Sequence, residues 1–166
     1  MTDRGHEKIE YIDKDLEVDG TITASGGLTG VYSHINYADP DANMGNRRTQ
    51  AILGGGAYRF NFSVPAHYSG TLKFELLGFP QAGAPGASKD IDLIGDYTTA
   101  DGSDYQEHTF SDTTSTYTVG ELNSRWALDF TTLITNAAPG TEGGILVDHK
   151  SIGGTIAYIG IRVTST

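Results

Sequence analysis

At 166 residues, with a net charge of −10, 37% hydrophobic residues and no cysteine, the chain has the size of one ordinary domain, long enough to bury a core, and an apolar content somewhat below the typical. The acidic balance argues against a nucleic-acid surface, which needs clustered Lys and Arg; Arg47-Arg48 is the only adjacent basic pair. The lack of cysteine excludes disulfides and thiolate metal sites, and no stretch approaches the about 20 apolar residues of a membrane-spanning helix.

The first 14 or so residues are polar and charged, and carry no apolar core of the kind a secretory signal needs. From Leu16 the chain alternates: Leu16, Val18, Gly20, Ile22 and Ala24 oppose Glu17, Asp19, Thr21, Thr23 and Ser25, and the pattern breaks at Gly26-Gly27 before Leu28. One narrow apolar edge makes no core alone. It reads either as an ordinary first strand or as a stalk that associates with the following domain or with copies of itself.

VYSHINY (31–37) reads as a strand and runs into ADPDANMGNRR, a turn-rich loop. AILGGG (51–56) is a Gly-dense bend. Tyr58, Phe60, Phe62 and Val64 then alternate with Arg59, Asn61 and Ser63, and after PAHYSG the segment Leu72, Phe74, Leu76 alternates with Lys73 and Glu75. Two adjacent segments with a period of two are strands with one buried and one wet face, separated by Pro65 and the Ser69-Gly70 turn.

Residues 81–90 read as an exposed loop, IDLIGDY (91–97) as a strand with Ile91, Leu93 and Gly95 on one face, and 99–108 as a hydrophilic hairpin or loop. HTFSDTTSTYTVG (108–120) is Thr-rich and β-prone. In 121–134, Trp126, Leu128 and Phe130 favour a strand, with a short helical turn near Glu121 as the alternative. NAAPGTEGG is a loop, GILVD a buried strand and HKSIGG a turn. TIAYIGIRV is a last strand expected to bury Ala157, Ile159, Ile161 and Val163. The expected fold is all-β, an antiparallel β-sandwich, with residues 1–30 as an N-terminal arm and 31–166 as the domain.

Three pieces together resemble a known family. FNFSVPAHYSGTLKFELLGF resembles the strand-Pro-strand unit of small jelly-roll domains in virion proteins of tailed phages and archaeal viruses. AAPGTEGGILVD resembles the late loop and penultimate strand of that unit, and GGTIAYIGIRV its terminal strand. The resemblance covers about residues 31 to 166 and departs at Thr141, where the family often has an acidic residue after Pro-Gly. VDGTITASGGLTG is similar to segments of phage fibre and appendage proteins that attach to the particle or help subunits associate.

The resemblance implies a jelly-roll and a non-enzymatic structural role at the virion surface as a capsid decoration or turret protein; edge strands open to assembly make a cyclic homo-oligomer, a homotrimer, the expected state. Leu16, Val18, Ile22 and Leu28 would carry attachment to other capsid or tail proteins and oligomerisation. The alternative is a receptor- or carbohydrate-binding head of a tail fibre or spike, recognising a host-surface glycan through loops 39–48, 81–90 and 99–107 and through Tyr105. Tyr32, Tyr97, Tyr117 and Tyr158 are further rings that either stack on sugar or simply pack.

Asp39-Pro-Asp41-Ala-Asn43-Met-Gly45 has the D-x-D-x-N-x-G spacing of calcium loops, in which successive side-chain oxygens converge on one ion. The twelfth position, where a bidentate acid closes such a loop, is Gln50, so a plain acidic turn remains open beside the calcium reading. Asp101, Asp104 and Glu107 are a second oxygen-rich group. The five histidines fall in none of the metal-protease spacings, and the chain has no G-x-S-x-G elbow or phosphate loop. No named constellation supports a reaction, so an enzyme is not expected.

Overall fold

The computed structural model describes residues 32–37, 42–44, 47–102 and 104–165; of residues 32, 42–44, 47 and 48 only the backbone is described. The attachment candidates Leu16, Val18, Ile22 and Leu28, and the calcium candidates Asp39 and Asp41, lie outside the described residues. Asn43 is described only as a backbone position.

The alternating segments fold as strands β1 (Tyr32–Tyr37), β2 (Ala42–Met44), β3 (Arg47–Ile52), β4 (Ala57–Ser63), β5 (Leu72–Pro80), β6 (Gly86–Thr98), β7 (His108–Asp112), β8 (Thr116–Val119), β9 (Trp126–Asp129), β10 (Glu142–His149) and β11 (Ile156–Ser165). One antiparallel sheet has the order β2-β3-β11-β5-β9, and the other β4-β10-β6-β7. β8 continues β7 along the same long strand, since β7 pairs with Leu93–Tyr97 of β6 and β8 with Gly86–Asp90.

Counted from β3, with β7 and β8 taken as one, the first, eighth, third and sixth strands form one sheet and the second, seventh, fourth and fifth the other. That is the double Greek-key order of a jelly-roll. β1 adds to it by lying beside β11 in line with β3, pairing Tyr32 with Ser165 and Tyr37 with Gly160.

The core sits between the sheets. Phe60 and Phe62 of β4 meet Tyr158 of β11 and Phe74 of β5 edge to face, at centroid distances of 5.4 and 5.5 Å. Such contacts join the two sheets while burying large apolar area. Gly95 is on the inner face, as its parity requires, and the ring of Phe110 occupies the space beside it: a Cβ at 95 would lie 2.4 Å from that ring.

The last strand departs from the sequence pattern. Its register against β5 shifts between Tyr158 and Gly160, and Gly160 has φ 147°, a conformation that L side chains rarely adopt. This β-bulge inserts one residue and flips the parity. Ile156, Tyr158, Ile161 and Val163 therefore enter the core. Of the expected set Ala157, Ile161 and Val163 are buried, Ala157 outside the main cluster, while Ile159 is only half-buried and is the member the bulge corrects.

Three other expectations change. Strand β6 begins at Gly86, so only 81–85 of the segment 81–90 is loop; residues 86–90 are held by β8. The segment 38–48 is not all loop, because Ala42–Met44 pair with Thr49–Arg47 as a short hairpin. Glu75, expected on a wet face, is only 6% exposed. Its carboxylate accepts from Arg162 Nε at 2.8 Å and from Lys73 Nζ at 2.8 Å. Burial pushes its pKa up, and the hydrogen bonds and charges of Lys73 and Arg162 outweigh that and hold it below the ordinary range.

The loops cluster at two ends. Loops 53–56, 81–85, 120–125 and 150–155 meet at one end, tied by Asn123 N donating to Pro80 O (2.8 Å) and Gln81 N to Thr155 O (2.8 Å). Loops 64–71, 99–107 and 130–141 meet at the other, where Val64 N donates to Thr141 O and Gly140 N to Val64 O, both at 2.8 Å. Because Tyr32 pairs with Ser165, the chain's first described strand begins at this second end.

Candidate functional site

The outer face of the β4-β10-β6-β7 sheet carries a depression that follows from strand parity. Inward-facing Phe60, Ile145, Leu93 and Phe110 leave Arg59, Asn61, Gly144, Leu146, Ile94, Asp96, Thr109 and Ser111 outside. Register places Asn61, Gly144, Asp96 and Thr109 in one row across four strands, with Arg59, Leu146, Ile94 and Ser111 in the next. Gly144 has no side chain, so the first row is low at its centre, and a trough of about 650 Å³ forms there. A second depression of about 650 Å³ adjoins it, sharing Asn61 and Asp96 and extending to Tyr37, Tyr105 and Glu142.

Polar groups in the trough are available. Gln106 Nε2 donates to Asp96 Oδ2 at 3.2 Å, orienting the carboxylate. Among the described residues, Arg59 has no ion-pair or hydrogen-bond partner and the Asn61 side chain makes no hydrogen bond. Tyr37 is 74% and Tyr105 77% exposed at the rim, and Ile94 in the trough is 42% exposed. These are three of the five large hydrophobic side chains found exposed among the described residues. Of the residues singled out in sequence, Tyr105 alone is brought here. Tyr37, Arg59, Asn61 and Asp96 were not identified as one group, because only cross-strand register makes them neighbours.

Tyr97, Tyr117 and Tyr158 do not form a surface, and the Tyr32 side chain lies outside what the structure describes. Tyr97 and Tyr158 are buried in the core, and Tyr117 is half-buried with its hydroxyl donating to Asp112 Oδ2 at 2.7 Å. That bond is the largest of several that lower the Asp112 pKa to about 2; the backbone N–H groups of Thr114 and Ser115 also donate to the carboxylate and close the turn between β7 and β8. Nor do the proposed binding loops converge. Loop 81–85 sits at one end and loop 99–107 at the other, separated by the 13 residues of β6, roughly 40 Å.

The acids of loop 99–107 are held by local hydrogen bonds. Glu107 Oε2 accepts from Thr99 N at 2.9 Å and Thr99 Oγ1 at 2.8 Å, and Asp104 Oδ1 accepts from Gln106 N at 3.1 Å. Among the described residues no group of three or more His, Asp or Glu side chains is placed to hold one metal ion.

His149 is a buried titratable group beside the core. Its Nε2 shares a 2.8 Å hydrogen bond with the Tyr158 hydroxyl. Nδ1 makes no hydrogen bond of good geometry, although the Leu53 backbone lies close enough to favour the protonated form. Burial dominates and lowers its pKa to about 4, against the smaller opposing effects of Leu53 and of the Asp148 charge. The ring is neutral near pH 7 and sealed from solvent.

No protein-family model matches the sequence, and no curated protein matches it. Among solved structures, the chain is similar to one described as "Structure of infectious bursal disease virus Gt strain", at a TM-score of 0.40 and 16% sequence identity. The match covers 82% of this chain and 33% of that one, so the chain spans about a third of the length of the structure it is similar to.

Proposed function

We propose that the protein is a non-enzymatic structural component of a virus particle, a surface decoration or turret subunit whose jelly-roll is anchored by residues 1–30. The observation that supports this most is how the first strand is joined to the domain. β1 pairs over six register positions with β11, which itself lies between β3 and β5 in its sheet. It is also bonded to the other sheet through Asn36 and Ser63. A load applied to the preceding segment would pass into one sheet through the β11 ladder and into the other through the Asn36–Ser63 bonds. The family resemblance of residues 31–166 points the same way.

In this reading Leu16, Val18, Ile22 and Leu28 bind capsid or tail proteins and associate three copies. Cyclic homo-oligomers are the usual outcome where one self-complementary segment assembles. The test is a chain lacking residues 1–30. The truncated protein is expected to keep the near-UV and far-UV circular dichroism of the domain, to fall from three times the 17.7 kDa chain mass to a monomer in light scattering, and to be absent from purified particles. Retained attachment overturns the reading. Mass spectrometry of intact particles gives the copy number: hundreds of copies mean decoration, a handful mean a tail or vertex appendage.

A further inference from the structure

The trough on the outer face of the β4-β10-β6-β7 sheet is an organised surface that the packing of the domain does not use. Its floor is backbone at Gly144, where a ring can approach the strand. Its walls are three kinds of hydrogen-bonding group on the two strands that flank β10: the Arg59 guanidinium and the Asn61 amide on β4, and on β6 the Asp96 carboxylate oriented by Gln106. Its rim carries two exposed tyrosines, Tyr37 and Tyr105, on the adjoining depression. Folding gains nothing from leaving two aromatic rings about three-quarters exposed beside polar groups without partners.

We propose that this trough binds a neutral glycan. Sugar rings present both an apolar face of C–H groups, which stacks on tyrosine, and a fan of hydroxyls, which donate to carboxylates and accept from guanidinium and amide N–H groups. A shallow floor with mixed donors and acceptors suits such a ligand better than an apolar one, which needs an enclosed cavity. Charge selects neutral over anionic sugars. Arg59 is opposed on the same outward face by Asp92, Asp96, Glu142 and Asp148, with Lys150 already paired to Asp148 and Asp92. A sialylated or sulfated glycan would meet net repulsion on a chain of charge −10.

The residues that line the trough fall between Arg59 and Leu146, and a chain lacking residues 1–30 keeps them all, so the fate of this site and that of the virion reading are separable. The test is a printed array of neutral oligosaccharides ending in hexose or N-acetylhexosamine, with sialylated and sulfated counterparts, probed with the full chain. Gly144→Val raises the floor, and a Cβ there meets nothing nearer than Asn61 Oδ1 at 3.4 Å. Asp96→Ala removes the carboxylate without altering the strand at Gly144. Leu122→Ala, in loop 120–125 at the opposite end of β6 from loop 99–107, is the control. The expected result is retention of at least one neutral glycan, weakened at least about tenfold by both Gly144→Val and Asp96→Ala and unchanged by Leu122→Ala. Retention of no neutral glycan, of anionic glycans only, or binding that survives Asp96→Ala overturns the proposal. Capture of a protein partner through the trough, with no glycan retained, overturns it equally.

Discussion

Asn36 and Ser63 lie 27 residues apart and join the first strand to the edge of the opposite sheet. Ser63 N donates to Asn36 Oδ1 at 3.1 Å, Ser63 Oγ to the same oxygen at 3.0 Å, and Asn36 Nδ2 to Ser63 O at 3.4 Å. The pair bonds part of the β4 edge, where backbone groups would otherwise face water or another chain. It also sets Tyr37 at the rim of the trough. Asn36→Ala leaves the Ser63 groups without this partner and is expected to cost about 1–2 kcal/mol in urea unfolding. An unchanged midpoint would show that β1 is held by its ladder with β11 alone.

Two glycines in neighbouring strands should respond in opposite ways. A Cβ at Gly95 would lie 2.3 Å from Gly144 O and 2.4 Å from Phe110 Cζ, so Gly95→Ala forces the sheet or the ring to move. Overpacking of that kind costs about 1–3 kcal/mol. Gly144→Ala faces outward with room and is expected to be neutral or to stabilise by about 0.5 kcal/mol, as backbone freedom in the unfolded chain falls. Thermal unfolding of the two variants side by side reads the difference.

The Glu75–Arg162 pair ties β5 to β11 on the outer face of their sheet. Arg162→Met leaves Glu75 with only Lys73, and is expected to cost about 1–3 kcal/mol, the loss of hydrogen bonds to a mostly buried charge. Replacing both, as Glu75→Leu with Arg162→Met, removes the unpaired charge as well and should cost less than the two single changes summed. Additive costs in denaturant unfolding would mean that the pair is not coupled.

His149 makes stability depend on pH. Its folded pKa of about 4 lies below the ordinary 6.5, so between those values the unfolded chain takes up a proton that the fold refuses. Stability is therefore full above pH 6.5, falls as pH drops through this window, and stops falling on this account below about pH 4. The full loss is about 3 kcal/mol. Urea midpoints at pH 7.5 and 5 should differ in the native chain, and the difference should shrink in His149→Gln. A slope untouched by that change would assign the dependence to the carboxylates.

Strand existence was legible wherever one face is buried and the other wet. The alternations of Tyr58–Val64 and Leu72–Leu76 appear as β4 and β5, and Trp126 and Leu128 face the core from β9, because period-two burial leaves its mark residue by residue. The jelly-roll order was carried by resemblance rather than by that periodicity, since nothing local says that β11 lies between β3 and β5. Register was beyond reach too. The Ile159-Gly160 bulge looks like uninterrupted alternation in sequence, and only pairing with β5 shows which residues turn inward.

Composition and local pattern thus determined an all-β domain with a net acidic charge, the positions of most strands, and a chain without cysteine thiolates. The tertiary structure decided the rest: that Glu75 is buried in an ion pair, that Tyr97 and Tyr158 belong to the core, that loops 81–85 and 99–107 lie at opposite ends, and that Arg59, Asn61 and Asp96 line a glycine-floored trough whose adjoining depression carries Tyr37 and Tyr105. The physical reason is that a side chain's alternation along a strand is local, whereas its neighbours across a sheet are chosen by long-range pairing. The trough is made mostly of such cross-strand neighbours, with Gln106 added from loop 99–107, so it exists only once the sheet has formed.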